Sequence, residues 1–129
     1  MLSVRMVRPS EMDLAKNLIR SIFPDAMIQL ADYDTLLIAE EQGRAVGFAH
    51  IVDEGDRILL QGMGVDKSSR GMGVGTILLQ SVFELLGASE LPIYLKVKAM
   101  NPAIDLYARY GFVLKKFGEV HVLVKRVDN

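Results

Sequence analysis

Between Val65 and Leu86 the chain changes from a strand-like to a helix-like pattern. Three glycines, Gly71, Gly73 and Gly75, stand at the change, directly after Arg70. Alternating glycines weaken regular structure, so few folds place them at the mouth of a helix. A helix N-terminus carries unpaired N–H groups and the positive end of the helix dipole, and residues without Cβ let an anion approach them. The segment therefore reads as a strand, a phosphate-sized turn and a helix. Spacing separates the versions of that arrangement. A P-loop needs Gly-Lys-Ser/Thr, and Gly75-Thr76 has no lysine. A dinucleotide fingerprint needs G-x-G-x-x-G, and its third glycine would fall on Thr76 or Leu78. The pattern that fits is Arg-x-x-Gly-x-Gly, residues 70–75. A capped helix entry that holds no ligand is the plainer alternative.

The rest of the chain supplies a sheet around this junction. Residues 2–7 alternate apolar and polar and read as a strand. Ser10 is placed to cap a helix running to about Ile22, with Glu11 and Asp13 in its first turn. Pro24-Asp25 breaks it, and a second short helix is expected to about Tyr33. Strands are expected over 35–41, 44–52 and 57–65, turning at Gln42-Gly43 and at 53–56. Gly62 and Gly64 near the end of the third of these suggest a bulge or a close approach to the backbone. A helix over 73–86, a strand over 91–98, a short helix from Asn101-Pro102 to Arg109 and a hairpin of 112–117 with 120–126 complete the order. The fold class is mixed α/β, a mixed and largely antiparallel sheet of about seven strands with about four helices.

Composition bounds the function. A chain of 129 residues fits one domain, 1–129, and its 50% hydrophobic and 24% charged residues suit a globular protein. The net charge of −1 offers no bulk attraction to nucleic acid or to an anionic membrane. With no cysteine, disulfides, thiolate metal sites and a cysteine nucleophile are excluded, and no metal site is expected. The first residues form no apolar targeting core and no run reaches membrane-spanning length, so a cytoplasmic location is expected.

The stretch Gly64–Leu79, "GVDKSSRGMGVGTILL", resembles the acetyl-CoA motif of the GNAT superfamily of acyl-CoA-dependent N-acyltransferases. A second block, "NPAIDLYARYGF" at 101–112, is similar to that family's N..A..LY...GF motif. Both lie in the family's order, and the strand and helix order agrees along nearly the whole chain. The resemblance implies a sheet splayed between the fourth and fifth strands, with the pantetheine of acetyl-CoA in the gap. Its amides would pair with the backbone of Met63, Gly64 and Val65. The pyrophosphate would lie on the N–H groups of Arg70, Gly71, Met72, Gly73, Val74 and Gly75, with the Thr76 hydroxyl as a further donor. Arg70 would brace the loop or reach a phosphate. Asn101 would contact the pantetheine or cap its helix; its spacing to Tyr107 is one residue shorter than is usual in the family.

Tyr107 resembles the family tyrosine that protonates the departing thiolate. An ordinary phenol titrates near pH 10, so it holds a proton at neutrality. The plainer reading is a packed aromatic, as it is for Tyr110 and Phe112. The chemistry implied is direct attack of an amine on the thioester, which needs a base or a water chain. The positions at which relatives carry a glutamate hold Leu59 and Gln61 on the fourth strand and Lys96 on the fifth. Lys96 would disfavour a cationic acceptor if it faces the site, and is otherwise an exposed strand residue. The remaining base candidates are His50, Glu54 and Glu119, with Gln61 placed to order a water. The expected function is an acetyl-CoA-dependent N-acetyltransferase; an acyl-CoA-binding module without turnover and a phosphate or nucleotide binder are the alternatives. Acetyl-CoA and an amine, a small molecule or a protein, are the expected partners, with no nucleic acid or membrane partner and a homodimer as an allowed assembly.

Overall fold

The structure, a computed structural model, describes residues 1–31 and 33–126. Strands β1 (Leu2–Met6), β2 (Thr35–Glu41), β3 (Arg44–Asp53), β4 (Ile58–Val65), β5 (Ile93–Lys98), β6 (Val113–Lys116) and β7 (Val120–Lys125) form one seven-stranded sheet. Its order is β1-β2-β3-β4-β5-β7-β6, and every neighbouring pair is antiparallel except β4 with β5. Helices α1 (Met12–Ile22), α2 (Val74–Leu86) and α3 (Ala103–Arg109) complete it. The expected mixed sheet is present with one helix fewer than expected.

The missing helix is the short one after Pro24. Residues 26–31 run without helical structure, because Ile28 and Leu30 both turn inward onto the α1 side of the sheet while Met27 stays exposed. That two-residue alternation suits an extended chain and not a helix. Asp32, within that expected helix, and residues 127–129 lie outside the described residues. The start of α1 also differs. Ser10 sits inside a short 3-10 turn, Pro9–Glu11, and the Glu11 carboxylate accepts the Arg8 N–H at 3.0 Å. Glu11 also takes two guanidinium bonds from Arg5, at 2.7 and 2.8 Å, and Arg5 bonds Glu40 at 2.6 Å. The Arg5 guanidinium first, then the Arg8 N–H, hold the Glu11 carboxyl down at about 2. One arginine thereby joins β1, β2 and the entry to α1.

The sheet is covered on both faces where the helices lie. Leu78, Leu79 and Val82 of α2 are fully buried against Leu37, Ala39, Ala49, Ile51 and Leu60. Ala15 and Ile19 of α1 close the opposite face over Leu36 and Phe48. The end of α1 comes so near β4 that a Cβ on Gly64 would lie 2.6 Å from the Phe23 ring and 2.8 Å from Ile22. Gly64→Val is expected to destabilise the fold by about 1–3 kcal/mol through overpacking, read as a lowered midpoint in thermal unfolding; an unchanged midpoint would mean that α1 docks more loosely than described.

Candidate active site

The site begins with a fault in β4. His50 pairs with Gly62 and Ile51 with Leu60, which leaves Gln61 bulged. The parallel β4–β5 ladder runs through Ile58↔Ile93, Leu59↔Tyr94 and Leu60↔Leu95 and ends there. A bulge bends its strand and increases its twist, while β5 stays paired with β7 as far as Lys98. The two strands therefore part beyond Leu60, as the resemblance implies. Gly62 and Gly64 mark the place, although the bulged residue is Gln61.

A cavity of about 680 Å³ occupies the gap. Gln61, Gly62 and Met63 form one wall, and Lys96, Lys98, Asn101 and Tyr107 the other. Residues 26–31 roof it, and Phe48, His50 and Asp34 lie beneath. Asn101 caps α3: its Oδ1 accepts the Ala103 N–H at 2.9 Å. Tyr107 is 5% exposed, with its ring edge-on to Phe112 at 5.7 Å. Burial pushes its phenol up to about 12.

At the mouth of the gap lies the glycine turn. Asp66 anchors it, with its N–H on the Val46 carbonyl at 2.7 Å. The Asp66 carboxylate accepts the Ser68 hydroxyl at 2.7 Å and the Arg44 guanidinium, and these hold it below the ordinary carboxylate range. Arg70 Nε donates to the Val65 carbonyl at 3.2 Å, so Arg70 braces the turn against the end of β4. Gly71 and Gly73 have φ of +79° and +83°, where other L-residues are strained, and nothing lies within 4 Å of either Cβ direction. Among the described residues, none accepts the backbone N–H groups from Gly71 to Thr76. Two residues in this turn also serve packing. Val74 is buried in the core, and a Cβ on Gly75 would lie 3.3 Å from Leu106 of α3. Gly75 therefore packs closely beside α3, and its N–H stays in the row.

His50 is the one buried polar residue of the described core, at 5% exposed. Its Nε2 is 2.8 Å from Oδ2 of Asp34, which also accepts the Ala31 N–H at 3.1 Å. A carboxylate only accepts, so the proton between them sits on Nε2. Asp34 Oδ1 is the one buried side-chain nitrogen or oxygen without a partner among the described residues. Among the described residues Nδ1 of His50 has no hydrogen-bond partner, and His50 lines the cavity. The other carboxylate candidates lie elsewhere. Glu54 pairs with Arg57 at 3.0 Å beside a second hollow, and Glu119 is exposed in the β6–β7 turn. Asp34, which the sequence did not single out, is the residue that gives His50 a fixed tautomer.

A parted parallel strand pair with a free N–H row at its mouth defines the architecture of an acyl-CoA-dependent acyltransferase. Residues 32–114 match the family model of the acetyltransferase (GNAT) domain. The chain belongs to the GNAT family of acetyltransferases. Its fold is similar to that of the ribosomal-protein-S18-alanine N-acetyltransferase from Escherichia coli, with a TM-score of 0.81 at 18% identity over 96% of this chain and 91% of that one. Arabidopsis thaliana Naa50, in complex with the bisubstrate analogue CoA-Ac-MVNAL, superposes with a TM-score of 0.80 at 23% identity over 96% and 97%. The PaiA N-acetyltransferase from Thermoplasma acidophilum, in complex with coenzyme A, gives 0.80 at 13% identity over 98% and 99%. No curated protein matches the chain in sequence.

Proposed function

We propose that the protein transfers the acetyl group of acetyl-CoA to a primary amine by direct attack. The observation that carries this reading is one cavity holding a buried tyrosine and a carboxylate-paired histidine, walled by the strand that leads into the free N–H row. The turn suits a pyrophosphate: Gly71 and Gly73 present open backbone, and the dipole of α2 favours an anion there. Met63 to Val65, freed from β5 by the splay, offer backbone groups to the pantetheine, and Asn101 and Tyr107 stand across the gap. Bound acetyl-CoA supplies an activated acyl group and a thiolate leaving group.

The side chains then divide the protons. Nδ1 of His50 takes one from the incoming ammonium, while Asp34 holds the Nε2–H and faces the imidazolium that forms. Tyr107 holds a proton at Oη through the neutral range and gives it to the sulfur as the C–S bond breaks and the N–C bond forms; the second proton shed by the nitrogen, passed through water, restores the phenol. Gln61, on the cavity wall, orders water beside the acceptor. The test is thiol release from acetyl-CoA across a panel of primary amines. Tyr107→Phe is expected to lower kcat about 100-fold with the Kd for CoA within about twofold. Binding of CoA with no thiol release from any amine would leave a binding module instead, and an undiminished Tyr107→Phe rate would remove the acid role.

A further inference from the structure

The face of the sheet that α1 leaves open is cationic. On that side α1 reaches β3 and β4, and β5, β7 and β6 lie beyond it. Residues 91–126 carry seven Lys or Arg and two Asp or Glu, in a chain whose net charge is −1. The strand register aligns several of them. Lys98, Lys96 and Tyr94 alternate outward along β5, and Lys96 pairs with Val122, which pairs with Lys116 of β6. Lys96 and Lys116 thus share one face two strands apart, roughly 10 Å.

A second hollow of about 290 Å³ lies among these residues, lined by Arg57, Tyr94, Lys96, Lys115 and Lys116, with Glu54 at its edge. Lys96 and Leu95 line both this hollow and the catalytic cavity, so the two adjoin. Tyr94 is the floor. Lys115 donates to its hydroxyl at 3.1 Å, and the Arg57 guanidinium lies 4.9 Å from its ring centre. Glu54 is engaged by Arg57, and among the described residues no carboxylate pairs with Lys96, Lys115 or Lys116. The Lys115 bond first draws the Tyr94 phenol below its ordinary range, as expected where cations gather. Three lysines without a carboxylate partner around one hollow repel one another until an anion enters.

We infer that this hollow is the subsite for acidic groups on the acceptor: the amine acetylated in the cavity belongs to a carboxylate-bearing molecule whose carboxylates rest on Lys96, Lys116 and Arg57. The inference depends on the acetyltransfer proposed above. It also makes the lysine on β5 a device that turns cationic acceptors away.

The test compares the peptides Ala-Glu-Glu-Glu, Ala-Gln-Gln-Gln and Ala-Lys-Lys-Lys, with free glutamate as a small acceptor, by thiol release. The acidic peptide is expected to have about tenfold higher kcat/KM than the neutral one, with the basic peptide lowest, and 1 M salt should erase the difference. The double variant K96E/K116E should reverse the order, and Lys116→Glu alone, outside the cavity that takes CoA, should narrow it while its Kd for CoA stays within about twofold. Preference for glutamate over its amide without a preference among the peptides would make the source a small acid; the reverse would make it a polypeptide. Turnover with no charge preference, or a preference that survives K96E/K116E, would overturn the subsite and leave acetyltransfer intact. No thiol release from any amine would overturn both.

Discussion

Replacing His50 with glutamine should lower kcat by about 10²- to 10⁴-fold, the usual worth of a positioned general base, with CoA affinity unchanged. Glutamine is the informative substitution because its amide can still donate to Asp34. Alanine would leave a buried carboxylate without its partner, at a cost of about 1–3 kcal/mol, and so mix folding with catalysis. Tyr107 adds no alkaline limb in the ordinary range, since its phenol, pushed up to about 12, stays protonated well past neutrality. Asp34→Asn keeps the shape and removes the charge that faces the imidazolium, so it should lower kcat less than His50→Gln does and leave KM for acetyl-CoA in place. An undiminished kcat in His50→Gln would exclude His50 as the base.

Gly73→Val should weaken CoA binding about 100-fold or more while the melting temperature moves by only a few degrees. Gly73 sits at φ +83° with open space beside it, so steric clash is not the cause. A β-branched residue is strained in the left-handed region by roughly 1–2 kcal/mol, and the turn relieves that by re-routing. Re-routing swings the N–H groups from Gly71 to Thr76 out of line, and they act only in concert. Calorimetric titration with CoA reads the loss, and Met72→Ala, a 65% exposed side chain beside it, is the control. Wild-type affinity in Gly73→Val would remove the phosphate role of the turn.

Much of this could be read in the sequence, for reasons that differ by element. The glycine turn and α2 are local: a strand pattern, glycines and a helical pattern in sixteen residues, Gly64–Leu79, specify them without distant contacts. Asn101 likewise caps α3 through the adjacent Ala103. The segment after Pro24 was misleading because its apolar residues serve a two-residue alternation against α1, visible only once α1 is in place. Gly75 reads as part of the phosphate cradle, and what only the structure adds is its neighbour Leu106, thirty-one positions away on another helix and 3.3 Å from where a Cβ would stand.

By itself, the sequence determined the α/β order, the glycines near the end of β4, the glycine turn before α2 and the Asn101 cap of α3. Each follows from spacing within one or two adjacent elements. Only the tertiary structure decided the partner of His50 and the gathering of Lys96, Lys115 and Lys116 around one hollow. A hairpin counted back from Glu41↔Arg44 would set Thr35 opposite His50, but the bulge at Val46 shifts the pairing so that Leu36 opposes His50. A one-residue shift moves a strand's side chains to the other face. It is this shift that puts Asp34, two residues before Leu36, on the same face as His50 and within a hydrogen bond of it. The cationic hollow arises the same way, from three strands whose register brings Lys96 and Lys116 together, and registers across β5, β7 and β6 are set by the packed sheet as a whole.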